Sequence, residues 1–312
     1  MKKIKNLCLI GCGKTSLSHA QASNNLNTKI KYVFTKNFKG KRFKKFSKFF
    51  PKALRLQNLK NLDKLDVDGF IVALPWYLND KFLLKYFINL RKPILFEKPI
   101  GFTNYKIWKK IKYPKNKYIA FNRRFYKNVN YAKKLIKQKD LLNVEATVSE
   151  NLIAFKKKFP FLNSKFIVFN TAIHVIDLLC YFFGDLRVIN KIGNLNNTNS
   201  NLIIILQNKN KLTIYVNISF NLPENNSITI KTKKKEIFKF KPIENLRIYN
   251  KLKIYERKGQ RRYISTFEKE INENYKYKPG FLLQMQNFIF QKKFCKIDQI
   301  EKTMKVLKKI IN

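Results

Sequence analysis

The tightest constraint on this chain is a turn near its start. Lys5 to Ile10 reads as a buried strand, Gly11-Cys12-Gly13 comes directly after it, and Thr15 to Ser23 reads as a helix. A strand that passes through two glycines straight into a helix is built to bring backbone N–H groups up to a phosphate at the helix N-terminus. The glycines allow the tight turn and the close approach, and the small Ser16 in third position still lets the helix pack on the strand. Gly11, Cys12, Gly13, Lys14 and Thr15 are therefore candidate dinucleotide-binding residues. A P-loop is excluded: Gly13-Lys14-Thr15 has the look of its end, but Cys8 stands where its first glycine must be. An ordinary strand–helix turn is the remaining alternative.

The strand–helix rhythm continues downstream of this turn. Ile30-Thr35 reads as a second strand, Lys41-Phe50 as a basic helix, Phe70-Leu74 as a short apolar strand, and Asn79-Leu90 as a helix by its spacing. Pro93-Phe96 and Tyr118-Phe121 read as further strands. Strands alternating with helices predict a doubly wound parallel sheet with right-handed crossovers. After Asn122 the pattern changes. Helices at Val129-Lys137 and Thr171-Phe183 flank a strand at Asn143-Ser149, and closely spaced strands run from Arg187 to Tyr255. Two helices, Gly280-Gln291 and Asp298-Ile310, close the chain. The expectation is an α/β fold: a Rossmann domain over residues 1–121, then an α+β domain over 122–312 with an open, mostly antiparallel sheet.

The end of the second strand bears on cofactor choice. A carboxylate there accepts hydrogen bonds from the ribose hydroxyls of NAD. Here the strand ends Phe34-Thr35-Lys36, and no carboxylate occurs before Asp63. A hydroxyl next to a cation suits a 2′-phosphate, so NADP is favoured over NAD, with Thr35 and Lys36 as the residues concerned.

Net charge is +47, which suggests a polyanionic partner. Lysine supplies 56 of the 66 basic residues, and Asn, Ile, Phe and Tyr are abundant too, the set that AT-rich codons favour. Pairs such as Lys44-Lys45, Lys109-Lys110 and Lys133-Lys134 are spread beside apolar residues, as on solvated faces. A steering patch must be clustered, so no specific nucleic-acid partner is expected. Cys8, Cys12, Cys180 and Cys295 form no C-x-x-C pair and the chain has two histidines, so no metal site is expected and the thiols fit a reducing compartment. The apolar run before Cys12 is too short for a signal peptide, and the stretch Phe166–Gly184 carries Asn170, His174 and Asp177. A cytoplasmic protein with no membrane partner is the expectation.

Four segments together resemble the family of glucose–fructose oxidoreductase and inositol dehydrogenase, the Gfo/Idh/MocA group. They are the glycine loop, Asp68-Gly-Phe-Ile-Val-Ala-Leu-Pro75, Glu97-Lys98-Pro99 and His174-Val-Ile-Asp177, supported by Asn122-Arg-Arg-Phe-Tyr126. The match runs from residue 7 to about 185, and the similarity in Pro75-Trp76 and the Arg-Arg-Phe-Tyr run is to subgroups handling surface or nucleotide sugars. The resemblance implies a cofactor-binding role for Leu74, Pro75, Trp76 and Glu97. It places Lys98 near the nicotinamide and the substrate hydroxyl, as a cation able to hold a developing alkoxide. It makes His174 the group that accepts the hydroxyl proton.

Arg123, Arg124 and Tyr126 are candidates for an anionic substrate group, and Glu150, Asn170 and Asp177 for the rest of the substrate. Two positions depart from the family pattern: Asn170 stands where many members have aspartate, and Asn79 where many have histidine. Asparagine can hydrogen-bond a hydroxyl but cannot shuttle a proton. His19, in the first helix, reads as structural.

The expected activity is hydride transfer between a nicotinamide and a secondary alcohol of a sugar, cyclitol or nucleotide sugar. The expected partners are that small sugar-like molecule and further copies of the chain, joined through the second-domain sheet. A non-catalytic dinucleotide-binding sensor of the same fold is the alternative that Asn170 leaves open.

Overall fold

The structure, a computed structural model of the 312-residue chain, describes every residue except 1–2, 102–106, 161–163, 197–199, 274–276 and 293–294. The chain forms two units. The first combines Met1–Phe125 with Tyr275–Met304, and the second combines Tyr126–Asn274 with Lys305–Asn312.

The first unit holds β1 (Asn6–Ile10), α1 (Lys14–Asn24), β2 (Lys29–Phe34), α2 (Lys41–Phe49), β3 (Leu54–Arg55), β4 (Gly69–Val72), α3 (Asn79–Phe82), β5 (Ile94–Phe96) and β6 (Lys117–Ile119). Its six strands lie in the order β3-β2-β1-β4-β5-β6, and every pairing is parallel. The order reverses at β1, which makes the carboxyl edge beside β1 a topological switch point. Leu7–Ile10, Phe70–Val72 and Ile94–Phe96 are wholly buried, so these strands read as unbroken apolar runs rather than alternating ones. Asp68 fixes the start of the arrangement. Its carboxylate accepts from Lys5 N (2.8 Å) and Asn6 N (2.9 Å), tying the lead of β4 to that of β1.

The second unit holds α4 (Lys127–Leu135), β7 (Leu141–Glu150), α5 (Leu152–Lys158), α6 (Ser164–Phe183), β8 (Leu186–Gly193), β9 (Asn201–Asn208), β10 (Thr213–Phe220), β11 (Ser227–Thr232), β12 (Ile237–Phe240), β13 (Asn245–Arg257) and β14 (Gln260–Asn272). Its sheet runs β14-β13-β12-β11-β7-β10-β9-β8. Only β7 with β10 is parallel; the other pairings are antiparallel. Here the strands alternate. Val144, Ala146, Ile204, Leu206, Ile214, Val216, Ile228 and Ile230 are buried, while Ile203, Tyr215 and Glu145 between them are exposed on the opposite face. Helix α6 is long and apolar enough to cross a membrane, and 78% of its window Phe166–Phe183 is buried within the protein.

Two expectations need correction. The boundary lies after Phe125 rather than Phe121, and Tyr275–Met304 returns to the first unit instead of staying with the second. Backbone bonds explain the return: Ile4 N donates to Ile289 O (3.0 Å) and Ile119 N to Cys295 O (2.9 Å), so the segment extends the first sheet's hydrogen bonding. It carries α7 (Phe281–Ile289), which packs along α1. The last helix, α8 (Glu301–Ile311), is divided between the two units. Strand β14, helix α5 and the two-residue β3 were not expected from the sequence pattern.

Candidate active site

The parallel sheet delivers four loops to one edge, because parallel strands all end on the same side. Gly11–Gly13 leaves β1, Ala73–Trp76 leaves β4, Glu97–Pro99 leaves β5, and Ala120–Arg124 leaves β6. Thr35 and Lys36 leave β2 on the other side of β1, Thr35 half-buried and Lys36 exposed. The sequence-predicted residues of the first unit therefore gather at one edge.

The two glycines of the loop have different reasons to be glycine. Gly11 has φ +104°, and a Cβ there would lie 2.4 Å from the Ala73 carbonyl oxygen, so the crossing of β1 onto the end of β4 demands it. Gly13 has an ordinary φ of −75°, and a Cβ would meet nothing within 4 Å. Neither backbone nor packing asks for glycine at 13, and the loop backbone is open there. Behind it α1 begins with no acidic residue in its first turn. Ser16 Oγ accepts from Gly13 N (3.2 Å) and donates to Ala73 O (3.2 Å), which locks the loop against β4. Open backbone at a helix N-terminus fits a dinucleotide pyrophosphate. Leu74 is half-buried, Pro75 exposed and Trp76 buried at the next loop.

The lysine corner is built from below. Asn79 Nδ2 donates to Glu97 O (2.9 Å) and to Pro99 O (3.1 Å), bracketing Lys98 from both sides. Asp80 accepts from Gly101 N (2.7 Å) and holds the segment after the cis Lys98–Pro99 bond. Lys98 itself is half-buried. Glu97 does not turn its carboxylate to the open edge as a cofactor ligand would. Its Oε1 lies 2.7 Å from Nε2 of His19 on α1, with His19 0% and Glu97 12% exposed in their side chains. Burial pushes the Glu97 carboxyl up, but the His19 bond and the charges of His19, Lys98 and Lys278 outweigh it and hold the group below the usual carboxylate range. Sequence reasoning missed His19 as a partner of this corner, and missed Asn79 and Asp80 as its brackets. Each of these residues reaches the corner across 18 to 78 residues of sequence, which leaves no local signal.

Arg123 and Arg124 lie in a single helical turn after β6, half-buried, with Arg123 Nη1 shielded from solvent and, among the described residues, without a hydrogen-bond partner. Tyr126 opens the second unit. It is buried, and its hydroxyl donates to Glu244 (3.1 Å), so it is committed to that unit's interior rather than presented to a ligand. Glu150 ends β7, half-buried. On α6, His174 is the one residue from Thr171 to Cys180 that is not buried, and Asn170, one turn earlier, is likewise half-buried. Asp177 is buried. Lys98 belongs to the first unit and His174 to the second. Among the described residues no group of three His, Cys, Asp or Glu is placed to hold a metal ion.

Neither a family model nor a curated protein matches the sequence. Solved structures do match in shape. UDP-N-acetylglucosamine 3-dehydrogenase GnnA from Acidithiobacillus ferrooxidans aligns over 99% of this chain and 97% of its own, at TM-score 0.71 and 14% identity. Levoglucosan dehydrogenase, solved with NADH and levoglucosan, aligns over 98% and 96% at TM-score 0.75 and 14% identity. This chain shares the fold of these two dehydrogenases. Myo-inositol 2-dehydrogenase from Lactobacillus plantarum shares it as well, over 99% of this chain and 96% of its own, at TM-score 0.72 and 14% identity. At such identity the likeness is one of architecture: a parallel six-stranded sheet and, after it, a second, mostly antiparallel sheet of eight strands.

Proposed function

We propose that this protein is an NAD(P)-dependent oxidoreductase acting on a secondary alcohol of a sugar, cyclitol or nucleotide sugar. The observation that carries the reading is the loop edge of the first unit. There an open glycine at the start of α1 and a bracketed lysine after β5 share the carboxyl side of one parallel sheet. The named activities of proteins with this fold, on UDP-N-acetylglucosamine, levoglucosan and myo-inositol, support a small sugar-like substrate.

When bound, a nicotinamide supplies or accepts a hydride. The chain's own residues do the rest. The Gly11–Gly13 backbone and the N-terminus of α1 hold the pyrophosphate. Thr35 and Lys36 give a hydroxyl and a cation to a 2′-phosphate, which favours NADP. Lys98 carries the ammonium that steadies negative charge developing on the substrate oxygen. His174, partly open on α6, takes the hydroxyl proton. Asn170 offers a neutral hydrogen bond one turn away, and Arg123 and Arg124 favour a substrate with an anionic group. Association with further copies uses the open face of the second sheet, where Ile203 and Tyr215 are exposed. The compartment we propose is the cytoplasm.

Turnover of NADP or NAD on a panel of sugars, cyclitols and nucleotide sugars tests the reading. His174→Ala and Lys98→Ala should each lower kcat by roughly 10²–10⁴, with cofactor affinity nearly unchanged. The double variant should lose less than the sum, because both act on one proton transfer. Nucleotide binding without turnover on any member of the panel would favour the sensor instead.

A further inference from the structure

We propose that His19 is a positioning residue for Lys98, acting through the buried carboxylate of Glu97. The inference rests on reading Lys98 as the cation that faces substrate. The chain of contacts is direct. His19 lies on α1, the helix that opens at the glycine loop, and is fully buried. Its Nε2 is 2.7 Å from Glu97 Oε1, and Glu97 immediately precedes Lys98. Asn79 holds the backbone on both sides of Lys98, so the Glu97 carboxylate and the lysine stand on one fixed segment.

A buried ion or ion pair is a poor way to gain stability. Removing a carboxylate from water costs several kcal/mol, and a well-packed apolar pair would serve a purely structural role at least as well. What the carboxylate provides is charge beside Lys98. Glu97 stays ionised because its burial is more than offset by its partners. An ionised carboxylate only accepts, so Nε2 of His19 carries the hydrogen. The groups that act on Glu97 come from three elements: His19 from α1, Lys98 from the loop after β5, and Lys278 from the lead of α7. The Phe281 ring, 4.6 Å from the His19 ring and 4.6 Å from Lys278 Nζ, covers the pair from the α7 side. His19 thus ties the helix of the nucleotide loop to the lysine corner and keeps Glu97 charged. Glu97 in turn favours the ammonium form of Lys98 and fixes where it stands.

The test reads Lys98 without requiring turnover. The rate at which acetic anhydride labels Lys98, measured peptide by peptide against pH, gives the midpoint of its titration in the folded full-length protein. His19→Ala and Glu97→Gln should both lower that midpoint, by roughly one pH unit, because a neighbouring negative charge is lost. His19→Gln keeps an N–H donor at similar reach and should restore the parent midpoint. Glu97→Gln preserves shape and hydrogen bonding, so it answers the question even where His19→Ala does not fold. Unchanged midpoints in the folded variants would overturn the proposal, as would failure of His19→Gln to rescue a shifted one. In active protein the alkaline limb of the kcat/KM profile should move down in step with the midpoint. A shifted midpoint in a protein whose Lys98→Ala variant keeps full activity would leave His19 positioning the lysine and remove the lysine from the chemistry.

Discussion

The two sheets of this protein are made of similar residues and put to opposite uses. In the first, β1, β4 and β5 are buried on both sides, short, and end together, so what matters is the edge where their loops emerge. In the second, the strands are longer and alternate, one face is buried and the other open, and the last hairpin, β13–β14, is exposed on both faces for most of its length. Parallel strands concentrate chemistry at one rim because every crossover returns the chain to the same side. Antiparallel strands spread their loops over both ends and leave a broad face instead. The difference gives the first sheet a rim of converging loops, where we propose the nucleotide binds, and gives the second a surface.

The rim is where a single atom should matter most. Gly13→Asp places a carboxylate where the pyrophosphate would approach, in space that a Cβ enters freely. Aspartate is also a favoured N-cap, so α1 should be unharmed. The expected result is loss of NADPH affinity by at least about 100-fold, with a melting temperature at or above that of the parent. Binding by fluorescence titration and a thermal melt measure both. Unchanged affinity would remove the dinucleotide from the first sheet's rim and erase the contrast between the sheets.

A smaller effect should sharpen the same rim. Thr35 and Lys36 leave β2 beside β1, and the parent should bind NADPH more tightly than NADH. Thr35→Asp sets a carboxylate against the 2′-phosphate and should reverse that preference by about tenfold or more. Equal parent affinities for the two nucleotides would show Lys36 to be one lysine among 56 and no determinant.

The rim was readable because its signals are local. The glycine loop sits between a strand and a helix that are both continuous in sequence, and Glu97-Lys98-Pro99 ends an apolar run. What escaped was nonlocal. His19 meets Glu97 across 78 residues, and no periodicity announces the meeting. The return of Tyr275–Met304 to the first unit is written only in backbone bonds such as Ile119 N to Cys295 O. Strand β14 was lost for another reason. Lys258 (φ 50°) and Gly259 (φ 73°) form a two-residue left-handed turn in the structure, but the charged residues Arg261, Arg262, Glu268 and Glu270 hid a strand that has no buried face to make it alternate.

That hairpin offers the mildest test of the comparison, and the one that separates a surface from a core. Ile254 and Tyr263 are directly paired across β13 and β14 and are 60% and 63% exposed. Replacing both by threonine keeps β-propensity and removes apolar area that already faces water, so the cost should stay within about 0.5 kcal/mol. Ile71→Ala on β4, where the side chain is fully buried, is the matched change in the other sheet and should cost about 2–5 kcal/mol. Denaturant unfolding of the two variants at low and high protein concentration checks both numbers. A loss above about 2 kcal/mol in the hairpin variant, growing with protein concentration in the parent, would mean that a second copy covers the arm in solution. The arm's exposed apolar residues would then be an interface rather than bare surface, and the arm would join the open face that carries Ile203 and Tyr215 as a place where we propose copies meet.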